Sequence, residues 1–235
     1  MRNSVLLGTM IWSMMCAAAV CRAQVECAQA DSLIFLQKES FVIWYSQRDH
    51  NPALVAWRLC LDDLGNCHRP RSQAFKTDFD CPRPRAKSAD FVRSGYQRGH
   101  LCPSADRSRS TSAMVATFVM SNVAPMTPRL NMIAWAQAEE YSRIMARRGH
   151  QCFLVAGAFF SGPKRVLSSS SHINVPDSFF RACIVRDCPS LSVWWLFAND
   201  SIVRCESVCR VPWSRFRCSL RDQVRCLFDK IVPKI

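Results

Sequence analysis

The chain has 235 residues, 49% hydrophobic and 21% charged, which is enough to bury one sizeable core and excludes any need for a second domain. Its 31 Lys and Arg against 18 Asp and Glu give a formal net charge of +13. That excess favours polyanions, but charge alone leaves solubility, an acidic envelope and nucleic acid open. Arginine outnumbers lysine heavily, and its planar fork suits bidentate contact with phosphate.

In chain order, Met1-Arg2-Asn3 precedes an apolar stretch from Val5 to Val20, followed by Cys21-Arg22-Ala23. This reads as a secretory signal peptide over residues 1–23, with a single domain over 24–235. The stretch falls short of the ~20 residues of a membrane span and has no counterpart downstream, so stable membrane insertion is not expected. A lipid anchor on Cys16 or Cys21 is the alternative, against which Val20 is a poor preceding residue. The expected location is therefore secreted or periplasmic.

Of 14 cysteines, Cys16 and Cys21 lie in the leader, and the even number left in an exported chain points to disulfides. A zinc site is the rival, disfavoured because the chain contains no C-x-x-C pair. Short spacings suggest Cys60–Cys67, Cys183–Cys188 and Cys205–Cys209, although spacing cannot fix connectivity.

Leu33 to Tyr45 and Ala53 to Leu61 are rich in β-branched and aromatic residues and predict a strand followed by a hairpin, with a turn at Asp62-Asp63-Leu64-Gly65-Asn66. Prolines 70, 82 and 84 among basic residues predict an irregular loop from Arg69 to Lys87. Ser110 to Met120 is helix-compatible, and Arg129 to Arg148 predicts a long helix stopped by Gly149. Cys152 to Phe160 is the unbroken apolar run of a buried central strand, ended by Ser161-Gly162-Pro163. A polar loop at Ser168–Ser171, strands over Phe179–Val185 and Leu191–Phe197, and a helix over Leu220–Val232 complete the reading. The mixture is α+β: a central, mostly antiparallel sheet flanked by helices.

Two segments carry chemistry. One is Tyr96-Gln97-Arg98-Gly99-His100-Leu101-Cys102-Pro103-Ser104-Ala105-Asp106; the other is the long helix. At ~100° per residue, Asn131, Trp135, Glu139 and Arg143 form one stripe, with Ile133, Ala134, Ala138, Tyr141, Ile144 and Met145 on roughly the opposite, core-facing side. A solvated face with an ordinary Glu139–Arg143 pair would look the same. Phosphodiester hydrolysis, however, needs a base, a cation and positive charge at the phosphate. His100 can be the base, since imidazole titrates near neutrality. Asn131 offers a hard oxygen to Mg²⁺, Glu139 can hold metal waters, and Arg98 and Arg143 can grip the phosphate. Cys102 as a nucleophile would lack an evident acid/base partner, so a bridge, for instance to Cys81, is the expected role. His50, His68, His150 and His172 are isolated, and His150 suits the carboxyl end of the long helix.

Tyr-Gln-Arg-Gly-His resembles the D-R-G-H motif of the DNA/RNA non-specific endonucleases, a family with a ββα-metal active site. Thr117-Phe118, Ser121-Asn122, Pro125, Leu130-Asn131, Trp135, Glu139 and Arg143 are similar to further family elements in order and spacing, as are Val155-Ala156-Gly157, Val175-Pro176 and Phe179-Phe180-Arg181. The resemblance implies His100 as general base, Asn131 as the sole direct protein ligand of Mg²⁺ or Mn²⁺, and Glu139 as a carboxylate acting on metal-bound water. Arg98 and Arg143 would bind phosphate, Asn122 would support the site in an unassigned role, and DNA and RNA would be the substrates. Gln97 replaces the motif's aspartate and Met126 a glutamine. These departures leave an alternative in which a catalytically weak or inactive protein with this fold only binds nucleic acid. Oligomeric state is not legible.

Overall fold

The computed structural model describes residues 33–67, 75–160, 165–168 and 172–200, together with the strand Val208–Arg210. The main sheet contains β1 (Leu33–Gln37), β2 (Val42–Ser46), β3 (Asn51–Leu59), β6 (Cys152–Phe159), β7 (Ser178–Val185), β8 (Val193–Ala198) and β9 (Val208–Arg210). They lie in the order β1-β2-β3-β6-β7-β8-β9, and every neighbouring pair is antiparallel. A separate two-stranded ribbon joins β4 (Gln97–His100) to β5 (Val123–Met126). The α+β expectation holds.

β6 is the central strand that its apolar run predicted, buried at every residue. Side chains alternate across the pleat. Cys152, Leu154, Ala156 and Ala158 enter the core shared with the long helix, while Phe153, Val155 and Phe159 enter a second cluster with Trp44, Leu54 and Phe180 on the other face. The apolar stretch from Leu33 is two strands rather than one. It breaks at Lys38-Glu39-Ser40, where the Lys38 N–H bonds Phe41 O at 3.0 Å and turns the chain back antiparallel. Leu191 belongs to a 3₁₀ turn, Pro189–Leu191, that precedes β8. Residues 75–87 contain no helix, as their prolines and charges led one to expect. The expected helix at Leu220–Val232 and most of the polar loop after Ser168 lie outside the described residues.

The helix α1 (Thr111–Ala116) is capped by Ser110, whose hydroxyl accepts from Ala113 N. The long helix starts differently from its sequence reading: Leu130–Trp135 is π-helical, and only Ala136–Arg147, α2, is α-helical. Gly149, at φ +91°, ends it in the left-handed conformation that glycine adopts without Cβ strain. Its buried residues are Leu130, Ala134, Trp135, Ala138, Ser142, Met145 and Ala146. Ile133 and Ile144, expected in the core, are exposed at 47% and 37%. The buried arc therefore adjoins the Asn131–Glu139 stripe instead of opposing it. Among the described residues, no helix is long and apolar enough to cross a membrane.

Candidate active site

The β4–β5 ribbon and the start of the long helix meet over a pocket of about 670 Å³ lined by Gln97, Arg98, His100, Asn131 and Glu139 with Phe75. Three features aim His100 there. Its backbone is paired with Val123, and its carbonyl accepts from Trp135 Nε1 at 3.1 Å. Its ring packs 5.0 Å from both Phe75 and Phe118, edge-on to the latter. Trp135 is fully buried, so the helix and the ribbon are tied by a group that is itself fixed. Gly99 beside His100 is required sterically, because a Cβ there would fall 2.4 Å from Met126 Sδ. Met126 thus fills space against the glycine and brings no polar group to the site.

Asn131 Nδ2 donates to Gln97 Oε1 at 2.8 Å, while Gln97 Nε2 donates to Met132 Sδ at 3.5 Å. With its nitrogen engaged, the Asn131 amide has its oxygen left for the pocket. Arg98 is anchored through Nη1 to the carbonyl and hydroxyl of Ser88, at 3.2 and 3.1 Å. Its guanidinium lies 5.0 Å over the Phe75 ring. Glu139 lies 3.7 Å from Arg143.

Two residues expected at the chemistry stand behind it. Arg143 is not in the pocket lining; it bonds Asp106 at 3.1 Å and Glu140 at 3.0 Å besides Glu139. Burial opposes its charge, but Asp106 and Glu139 outweigh that and raise its pKa. Asn122 is fully buried and clamps the loop that follows His100: Oδ1 accepts from Cys102 N at 3.0 Å, and Nδ2 donates to Cys102 O and Thr117 O at 2.9 Å.

Sequence reasoning assigned no role to Asp106, Arg181, Phe75 or Ser88. Asp106 is fully buried, takes Trp57 Nε1 at 3.0 Å, and faces Arg143 and Arg181. Arg181 is equally buried, donates to Leu101 O at 3.3 Å, and lies over the rings of Trp57 and Trp135. A signal existed, since an arginine inside the apolar strand Phe179–Val185 demands a buried counterion, and Asp106 is an acid in a basic segment.

The described cysteines are thiols. The expected Cys81–Cys102 bridge is not formed, and burial pushes both thiols up to about 12, which removes Cys102 as a nucleophile at neutral pH. Cys60 bonds Asp63, and Cys188 meets Ser190 rather than Cys183. Cys205 and Cys209 have side chains outside the described residues. His150 follows the helix end as expected and pairs with Asp187 at 2.7 Å.

The oxygen donors suit a hard divalent cation, with Asn131 and Glu139 lining one pocket. Among the described residues no group of three or more His, Cys, Asp or Glu could hold a metal. Two oxygen donors on one pocket fit an ion that keeps most of its own water.

The family model of the DNA/RNA non-specific endonucleases matches residues 21–225. The chain belongs to this family. It is 33% identical over 159 residues to human mitochondrial endonuclease G, covering 63% of this chain and 54% of that one. A nuclease of Nostoc sp. is 32% identical over 168 residues, 71% of this chain and 60% of the relative. Nuclease C1 of Cunninghamella echinulata var. echinulata is 30% identical over 216 residues, covering 84% and 83%. The chain thus spans just over half the length of the first two relatives. A chain of the solved EndoG/EndoGI complex superposes with a TM-score of 0.64 at 21% identity over 77% of this chain and 78% of that one, a likeness of fold.

Proposed function

We propose that this chain is an exported, metal-dependent endonuclease that hydrolyses phosphodiester bonds of DNA and RNA with little sequence preference. The observation that carries the reading is the convergence of His100, Asn131, Glu139 and Arg98 on one pocket, from two separate chain segments, β4 and the long helix. His100 takes a proton from the attacking water as the new oxygen–phosphorus bond forms and the bond to the leaving oxygen breaks. Arg98, fixed by Ser88 and Phe75, binds the phosphate without needing to be ordered first. Asn131 would ligate Mg²⁺ or Mn²⁺ directly and Glu139 would hold the ion's water, and the ion would supply Lewis-acid stabilisation of charge on the phosphate oxygens. Arg143 positions Glu139 from behind and Asn122 holds the loop beyond His100.

Export rests on the N-terminal sequence, for relatives include mitochondrial proteins as well as others. Residues 1–23 act as the leader and 24–235 form one domain, whose cysteines meet oxidising conditions outside the cell.

The test is degradation of plasmid DNA and of RNA by purified protein, with and without EDTA. Metal-restored cleavage of both, reduced by His100→Ala about 10²- to 10⁴-fold, is expected. Salt-sensitive binding without cleavage would mean that the fold has kept its ligand and lost turnover.

A further inference from the structure

A second pocket, of about 830 Å³, lies beside the first, lined by Phe79, Arg83, Arg85, Lys87, His50 and His172 among others. The 3₁₀ turn Ser88–Phe91 and its flanks line both. Lys87 and Asp90 face the second pocket while Phe91 and Val92 face the catalytic one, and all lie on or beside the single 3₁₀ turn Ser88–Phe91. Arg98 of the catalytic pocket is bonded to Ser88 of that same turn.

The second pocket's chemistry is unlike that of a merely solvated surface. Phe79 is 78% exposed, one of the largest apolar exposures among the described residues. Its ring lies 5.4 Å from the Arg85 guanidinium. Arg85 is in turn fixed through Nε to Cys81 O at 2.6 Å and through Nη2 to Phe79 O at 3.2 Å. The pair is therefore a held platform: the guanidinium covers part of the ring and the rest is open to solvent. Arg83 and Lys87 are exposed beside it. The acid in the lining, Asp90, is engaged by the Lys87 backbone N–H at 2.7 Å. An exposed aromatic stacked on a fixed guanidinium and flanked by cations matches the needs of an unpaired base and its neighbouring phosphates.

We propose that this pocket is a second nucleic-acid subsite, in which Phe79 stacks an unpaired base and Arg83 and Lys87 hold the phosphates next to it, while the scissile phosphate lies across the Ser88–Phe91 turn, at His100. The inference rests on the nuclease reading for its substrate class. It gives the protein a preference for single strands long enough to cross both pockets, because a paired base cannot stack on Phe79.

The test compares kcat/KM on three substrates: a p-nitrophenyl phosphodiester of thymidine, a single-stranded oligonucleotide of about 20 residues, and its duplex. Phe79→Ala should lower the single-strand value about 5- to 30-fold, as loss of one base–aromatic stack does. The small ester and the duplex should be unchanged, Phe79→Trp should restore the loss, and Phe79→Leu should not. Arg83→Ala and Lys87→Ala should each flatten the salt dependence of single-strand binding by about 0.7 in the log–log slope. Equal losses on all three substrates, or none on the single strand, overturn the subsite. Should wild type cleave nothing, the nuclease reading falls. Fluorescence anisotropy of the labelled single strand on wild type and Phe79→Ala then decides the subsite: a weakened complex supports it and an unchanged one overturns it.

Discussion

Gln97 stands where the family motif has an aspartate, and its geometry explains how an amide can serve there. Its Nε2 is drawn toward Met132 Sδ, which turns Oε1 to receive the 2.8 Å bond from Asn131 Nδ2. What the position needs is an acceptor, and either a carboxylate or a correctly turned amide provides one. The negative charge is absent, and with it some attraction for a cation nearby. Gln97→Leu removes the acceptor and leaves Asn131 free to flip its nitrogen toward the proposed metal ion. A loss of about 10-fold or more in Mn²⁺ affinity, read by calorimetry or by the EPR signal of free Mn²⁺, is expected. Gln97→Asp keeps the acceptor and should bind Mn²⁺ at least as tightly as wild type. If Gln97→Leu binds the ion with unchanged affinity, the orienting role is lost. The substitution itself was legible in sequence, whereas its contact with Asn131 depends on folding that brings together residues 34 positions apart.

The long helix shows what periodicity can and cannot deliver. Its existence, extent and glycine stop follow from an unbroken helix-compatible run between Arg129 and Gly149. Its facing follows only in part, with Ala134, Ala138 and Met145 buried as expected but Ile133 and Ile144 exposed, for two physical reasons. The π-helical start, Leu130–Trp135, bonds i to i+5 and so breaks the 100° step on which an angular sorting depends. In addition, Arg143 and Glu139 can lie near the core because Asp106, from a loop 37 residues earlier, neutralises the arginine there. Charged residues looked solvated only while that partner was invisible. Arg143→Ala would leave the fully buried Asp106 with Trp57 and a more distant Arg181, and should cost about 3 kcal/mol of stability in chemical denaturation. Arg143→Lys, which keeps the charge but loses the fork that reaches Asp106, Glu139 and Glu140 together, should recover only part of it. A variant as stable as wild type but inactive would instead put Arg143 on the phosphate.

At the scale of the molecule, the sheet and its mixed α+β class follow from patterns of residues, while cysteine partnership follows from register, which no spacing reveals. Register pairs Cys152 with Val185 and Leu154 with Cys183 at one end of the β6–β7 ladder, so Cys152 and Cys183 are diagonal neighbours on one face. Both are buried in the core beneath the long helix. Their thiols are hydrogen-bonded, which raises the pKa of Cys152 and lowers that of Cys183. The short-loop Cys183–Cys188 pairing fails on the same geometry, because Cys183 points into the core while Cys188 lies beyond the strand end, beside Ser190. In an exported chain, exchange with a disulfide oxidant would take two electrons and two protons from the Cys152 and Cys183 thiols. The link would join the central strand β6 to its neighbour β7 and stabilise the fold by about 3–4 kcal/mol, mainly by restricting the unfolded chain. Non-reducing peptide mapping of protein purified from its exported form should recover the Cys152 and Cys183 peptides as one species that separates on reduction. Cys183→Ser should leave Cys152 open to alkylation after denaturation and lower the thermal midpoint. Recovery of Cys183 linked to Cys188, or of both thiols alkylated in the exported protein, would show that register does not set the bridge.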